Sequence, residues 1–273
     1  MPIPLEDNVS DIIGKAQRGL GISDSQLAER AGVAADRVRS LRGGDFDDDA
    51  IERVASILKL SSEGLRKLAS GEWESVDEIE HLAQFNTTYH DITVNAYLAW
   101  DPATRDGVAF DTGADCSEML RRIDREKLSI RLILLTHAHP DHVADLRRLR
   151  KATDAPVYIS ELEPEEGAQP LAEGKRFKVG ALKIEARLTS GHSRGGMTYV
   201  VTGLARPIAI VGDSLFAGSM GGGNISYEDA LRNNREKILT LPDETIVCPG
   251  HGPLTTVGKE KRDNPFFASV GNV

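Results

Sequence analysis

Five of the seven histidines of this 273-residue chain fall in three short segments: Thr136-His-Ala-His-Pro-Asp-His142, Ser190-Gly-His192 and Pro249-Gly-His251. Asp213 lies between the last two. Imidazoles and carboxylates are the side chains that hold zinc, iron or manganese. In the first segment the spacing His-x-His-x-Asp-His, on a turn leaving a strand, lets His137 and His139 face one metal while Asp141 and His142 face another. A lone histidine in a turn is ordinarily a surface or core residue. Seven ligand-type residues in order, His137, His139, Asp141, His142, His192, Asp213 and His251, are not explained that way, and they point to a two-metal site.

Such ligands need a rigid frame, and the flanking sequence supplies strand ends. The apolar run Ile130-Arg-Leu-Ile-Leu-Leu135 reads as a buried strand just before the first motif. β-rich stretches likewise precede His192 (Leu188-Thr-Ser-Gly-His), Asp213 (Ile208-Ala-Ile-Val-Gly-Asp) and His251 (Ile246-Val-Cys-Pro-Gly-His). Ile92–Leu98 alternates as a strand and Val108–Gly113 is a strand running into a turn. Helices are expected at Ser117–Lys127 and Val143–Ala152. Of the two cysteines, Cys116 and Cys248, the second stands three residues before His251 but reads as a small buried residue ending a strand, and no disulfide framework is implied.

On these motifs, residues 85 to 268 resemble the metallo-β-lactamase superfamily, and within it the glyoxalase II-like hydrolases. The resemblance implies an αββα sandwich, with His137, His139 and His192 on the first metal, Asp141, His142 and His251 on the second, and Asp213 bridging. Asp111 then supports the metal loop by hydrogen bonding rather than by ligation. True β-lactamases are less similar, because their classes place Cys at the position of Asp213 or lack the bridging acid. The implied activity is hydrolysis of an ester, thioester or lactone carbonyl by a metal-bridging hydroxide, with Asp141 and Asp213 as the catalytic carboxylates and zinc, or else iron or manganese, as the two divalent ions. Arg194, beside His192, reads either as an anchor for a substrate anion or as a solvated loop residue. No counterpart of glyoxalase II's glutathione-recognising helical domain is expected after Phe267, so the small-molecule substrate stays open. A mononuclear iron persulfide dioxygenase is an alternative, disfavoured by the complete second ligand set.

The first seventy residues have a different texture. Val9–Arg18, Asp24–Ala31, Ala34–Arg42, Asp48–Leu58 and Ser61–Ala69 read as short helices, with Leu27, Ala31, Val33, Val38 and Leu41 as a shared apolar seam. Gly21-Ile-Ser-Asp-Ser-Gln-Leu-Ala-Glu-Arg-Ala-Gly-Val33 resembles the Xre-like helix-turn-helix. DNA is therefore a candidate partner, and a ligand- or metal-responsive regulator is the non-enzyme alternative. Against it, the base-reading positions are Ala34, Ala35, Asp36 and Arg37, and residues 1–75 carry ten Lys or Arg against fourteen Asp or Glu. A helical cap used for shielding the site or for dimerisation is the other option. The whole chain is acidic, net −9 with 40% hydrophobic residues, which fits a globular protein and not a general nucleic-acid binder. Without a signal-peptide start or a membrane-length apolar run, a cytoplasmic location is expected. The expected organisation is thus α+β: a helix-turn-helix-like domain over 1–75, an acidic linker over 76–84 that includes His81, and a hydrolase domain over 85–273.

Overall fold

The computed structural model describes residues 3–268 except Phe46, Glu72, Ser75, Asp77 and Glu78. Asp77 and Glu78 of the expected linker, and residues 269–273 of the expected hydrolase domain, lie outside the described residues. Five helices come first: α1 (Val9–Leu20), α2 (Asp24–Ala31), α3 (Ala35–Arg42), α4 (Asp48–Leu58) and α5 (Ser62–Ala69). Their starts are set by side chains that satisfy orphan backbone N–H groups. Asn8 with Asp11 and Ser23 with Gln26 form capping boxes, and Asp47 and Ser61 cap α4 and α5. The expected seam is buried, with Leu27, Val38 and Leu41 in one core and Val33 packed at its edge.

Two six-stranded mixed sheets follow. The first runs in spatial order β1 (Leu82–Tyr89), β2 (Ile92–Trp100), β3 (Asp106–Phe110), β4 (Ser129–Leu134), β5 (Val157–Ser160), β6 (Gln169–Leu171). The second runs β12 (Thr255–Thr256), β11 (Ile246–Pro249), β10 (Ile208–Gly212), β9 (Met197–Thr202), β8 (Leu182–Leu188), β7 (Arg176–Val179). Period-2 alternation divides β2 between two cores, Tyr97 and Ala99 facing the opposite sheet while Ala96, Leu98 and Trp100 face outward. Residues such as Phe110, Leu134, Tyr199 and Ile210 fill the space between the sheets. Helices α6 (Ser117–Glu126) and α8 (Leu146–Thr153) cover the first sheet through Met119 and Leu149. A π-helical turn (Asn234–Ile238) that follows α9 (Tyr227–Asn233), together with α10 (Val257–Asp263), covers the second through Ile238 and Val257. This is the expected αββα sandwich.

Three details differ from the sequence reading. β1 begins at Leu82, inside the segment expected to be linker, because Leu82 and Ala83 bury against the cores and pair with Ala99 and Leu98. The helix expected over Val143–Ala152 is broken into a turn, α7 (Pro140–Val143), and α8. Between them Asp145 leaves the helical conformation and accepts hydrogen bonds from the Cys116 amide and the Arg148 side chain. The short turn carries Asp141 and His142, both buried.

The helices are also not a detached unit. Met220, Ala230 and Phe266 of the sandwich belong to the same apolar core as α1 to α5. The Ser61 amide donates to the Pro265 carbonyl at 2.8 Å, and Lys67 pairs with Asp263 at 2.9 Å. On the outer face, acidic partners occupy most of the arginines: Arg37 pairs with Asp47, Arg42 with Asp24, Arg53 with Asp49, and Arg66 with Asp48 and Glu52.

Candidate metal centre

All seven ligand-type residues converge at one end of the sandwich. His137 and His139 come from the loop after β4, Asp141 and His142 from α7, His192 from the loop after β8, Asp213 from the end of β10 and His251 from the turn after β11. They form two clusters, His137, His139, His192 and Asp213 in one and Asp141, His142 and His251 in the other, each with its ligand atoms within 4.8 Å. Asp213 faces both: Oδ2 lies 3.3 Å from His192 Nε2 and 3.4 Å from His251 Nε2, and Oδ1 lies 3.3 Å from His142 Nε2.

Four of the five imidazoles are oriented by their other nitrogen. His142 Nδ1 lies 2.8 Å from Asp111 Oδ2, His251 Nδ1 2.6 Å from the Thr93 carbonyl, His192 Nδ1 3.1 Å from the Gly222 carbonyl and His137 Nδ1 3.1 Å from Thr136 Oγ1. In those four rings Nε2 is left to point at the centre. His139 turns the other nitrogen inward: its Nδ1 is 3.0 Å from His137 Nε2 and 3.1 Å from His192 Nε2. Three imidazole nitrogens so close together share no obvious proton and suit a common cation.

The electrostatics divide the clusters. Burial holds His137 well below the usual histidine range and lowers His192, so both present neutral lone pairs. Burial also opposes charge on His142 and His251, yet Asp213 and the other nearby carboxylates push them up to about 10 and about 11. Against the upward push of burial, His251 and His142 keep Asp213 well below its ordinary range, and the bond to His251 lowers Asp141. The carboxylates thus draw positive charge into the second cluster. His142 Nε2 and Asp213 Oδ1 are buried without a hydrogen-bond partner, and a Cβ on Gly250 would come within 2.1 Å of that Asp213 oxygen. Orphaned donor atoms of this kind, with the mixed nitrogen and oxygen set, fit divalent cations.

Several further residues hold the site in shape, and of these the sequence reading named only Asp111. Asp111, the expected support, accepts from the Thr136 amide and hydroxyl at 2.7 Å each. Glu163 accepts from the Ala138 amide at 3.0 Å and the Gly195 amide at 2.8 Å, tying the His137 loop to the His192 loop. Asn95 donates to the Pro249 and Gly252 carbonyls, and Tyr97 to the Pro249 carbonyl, on either side of His251. Asn95 was detectable as a polar residue inside an apolar strand. Glu163, in a polar loop, gave no such signal. Arg194 is exposed, and Cys248 is a buried strand residue whose thiol burial pushes up, so it offers no nucleophile.

The sequence family that matches is the metallo-beta-lactamase superfamily, over residues 91–251. A probable metallo-hydrolase of Bacillus subtilis, YqgX, is 36% identical over 184 residues, 58% of this chain and 85% of that protein. The hydroxyacylglutathione hydrolase GloC of Haemophilus influenzae is 29% identical over 201 residues, 64% of this chain and 93% of that protein. Among solved structures, the BLEG-1 B3 metallo-beta-lactamase superposes with a TM-score of 0.62 at 31% identity, covering 69% of this chain and 100% of that one.

Proposed function

Because the chain belongs to the metallo-beta-lactamase superfamily, we propose that it is a dinuclear metal-dependent hydrolase acting on an ester, thioester or lactone carbonyl. The observation that carries this reading is the position of Asp213 between two complete ligand clusters. His137, His139 and His192 would hold one cation and Asp141, His142 and His251 the other, with Asp213 placed between them. Two divalent cations supply an acidified water at neutral pH and a Lewis acid for the substrate carbonyl. Asp213 fixes the spacing of the clusters. Asp141, whose Oδ2 lies 3.4 Å from His251 Nε2, orients the attacking water by accepting its hydrogen bond. Asp111 and the Thr93 carbonyl keep protons on the outer nitrogens of His142 and His251, leaving their Nε2 atoms to ligate.

Thioesters are the favoured class, supported by the likeness to a hydroxyacylglutathione hydrolase. The β-lactam amide is the counter-substrate, given the likeness to a B3 enzyme. The α1 to α5 module resembles a helix-turn-helix, but ion pairing of Arg37, Arg42, Arg53 and Arg66 with acidic neighbours leaves little charge for phosphates, which supports a capping role over DNA binding. No helix among the described residues is long and apolar enough to cross a membrane. The test is elemental analysis of protein purified without chelator, coupled to a panel of thioester, ester, lactone, β-lactam and phosphodiester substrates. About two metals per chain with thioester, ester or lactone turnover is expected. A ceiling of one iron, with oxygen consumed in the presence of a persulfide, would instead identify a dioxygenase.

A further inference from the structure

The family match begins at residue 91, yet the chain's first described residues lie against the metal centre. The segment Pro4–Asn8 crosses the turn that carries His251. A Cβ on Gly252, which has φ +78°, would come within 3.2 Å of the Glu6 amide nitrogen and 3.6 Å of the Pro4 carbonyl oxygen. The crossing is locked on its far side. Asp7 pairs with Lys15 of α1 and accepts from the Ser219 hydroxyl at 2.5 Å. The Lys15 ammonium, mostly buried, donates to the Met220 carbonyl at 2.8 Å and sits 5.0 Å from the centre of the Phe216 ring, which packs edge-on against His251 at 5.6 Å. Asp7 and Lys15 therefore satisfy each other and the 216–220 turn.

Glu6, between Pro4 and Asp7, is different. Its carboxylate has no hydrogen bond or ion pair among the described residues, is half-buried, and lies within electrostatic reach of His251 and Asp213. A half-buried carboxylate held in place by its neighbours, but not used by them, keeps its charge free for a ligand.

We propose that Glu6 is a specificity-determining residue of this site, a fixed negative charge beside the second cluster that selects substrates carrying a protonated amine or quaternary ammonium and disfavours those carrying a carboxylate. The catalytic part of this statement rests on the hydrolase reading above. The charge preference does not, because it can be read from binding alone.

The experiment uses the full chain with its metals, as wild type, Glu6→Gln and Glu6→Lys, with thermal melts to verify folding. Three small thiols of matched size serve as metal-directed binders: cysteamine (cationic), 2-mercaptoethanol (neutral) and mercaptoacetate (anionic). Calorimetry gives their affinities, and matched thioesters bearing an ammonium, hydroxyl or carboxylate group give kcat/KM. In the wild type, the ratio of cysteamine to mercaptoacetate affinity should exceed that in Glu6→Gln by about tenfold, and Glu6→Lys should lower it further. Equal ratios in wild type and Glu6→Gln overturn the proposal, even if the thioesters are hydrolysed. A Glu6-dependent ratio without turnover of any carbonyl substrate keeps the proposal and removes the hydrolase reading. Should Glu6→Gln melt early, the Glu6→Lys ratio alone decides, since a merely structural role would not invert charge preference.

Discussion

Asp111→Asn exchanges one carboxylate oxygen for an amide nitrogen and should disable the second metal cluster without disturbing the backbone. Asp111 sits in the left-handed region at φ +57°, which asparagine tolerates. Its Oδ1 accepts from the Thr136 amide, a bond the asparagine oxygen preserves. Its Oδ2 lies 2.8 Å from His142 Nδ1, and here the amide would set donor against donor. His142 then has to move its proton from Nδ1 to Nε2, the atom that faces Asp213 at 3.3 Å, and so loses its ligand lone pair. Loss of such an orienting partner weakens metal binding by about 10- to 100-fold, or about 1.4–2.7 kcal/mol. In metal-free protein His142 is raised to about 10 and is charged at neutral pH, so a charge-assisted bond is also lost, at about 1–3 kcal/mol of folding stability. Titration calorimetry of apo protein resolves the two sites. The isotherm of the site built on Asp141, His142 and His251 should shift while the site built on His137, His139 and His192 keeps its affinity. Two unchanged isotherms would refute the tautomer argument.

Asp213→Ala should leave the chain folded but reduce bound metal and cut turnover by about a hundredfold or more, measured by elemental analysis and initial rates; near-native hydrolysis would exclude the bridging role. Glu260 is fully buried, accepts from the Gly218 amide, Thr255 hydroxyl and Asn264 amide, and is raised by burial to about 7. A carboxyl raised above its ordinary value binds protons in the folded state. Its stabilising contribution is therefore complete below pH 4.5 and lost as pH rises through 7, about 3 kcal/mol in all. Glu260→Gln should flatten the decline in denaturant stability between these pH values, and parallel wild-type and variant curves would dismiss the assignment. Deleting residues 1–75 should lower solubility and melting temperature, because Met220, Ala230 and Phe266 lose their apolar cover; a truncated chain melting like the full one would show that the two parts are independent. The full chain should bind random duplex DNA no tighter than about micromolar at physiological salt in mobility-shift assays, and a nanomolar operator lost on Arg37→Ala would reinstate a regulator.

The sequence by itself determined the inventory of ligand-type side chains and the frame beneath it. His-x-His-x-Asp-His after an apolar run, and single ligands at the ends of Ile208–Gly212 and Ile246–Pro249, are local patterns, since a strand's period and the turn that ends it are encoded within a few residues. The same holds for the helices of the first seventy residues, whose caps Asn8, Ser23, Asp47 and Ser61 act on their own first turns. Only the tertiary structure decided how Asp213 divides its oxygens, which nitrogen His139 turns inward, and that Glu163 and Asn95 brace loops distant in sequence. It also decided that the helical module is not a separate body. From sequence, the acidic stretch near residue 75 reads as a linker or connecting helix between two domains. In the fold, Leu82 already pairs into the first sheet, Lys15 reaches the Met220 carbonyl, and Glu6 lies beside His251. The physical reason is range: propensity, capping and periodicity act over one or two turns, whereas contacts across some two hundred residues follow from how apolar faces and buried charges are jointly satisfied once the layers pack.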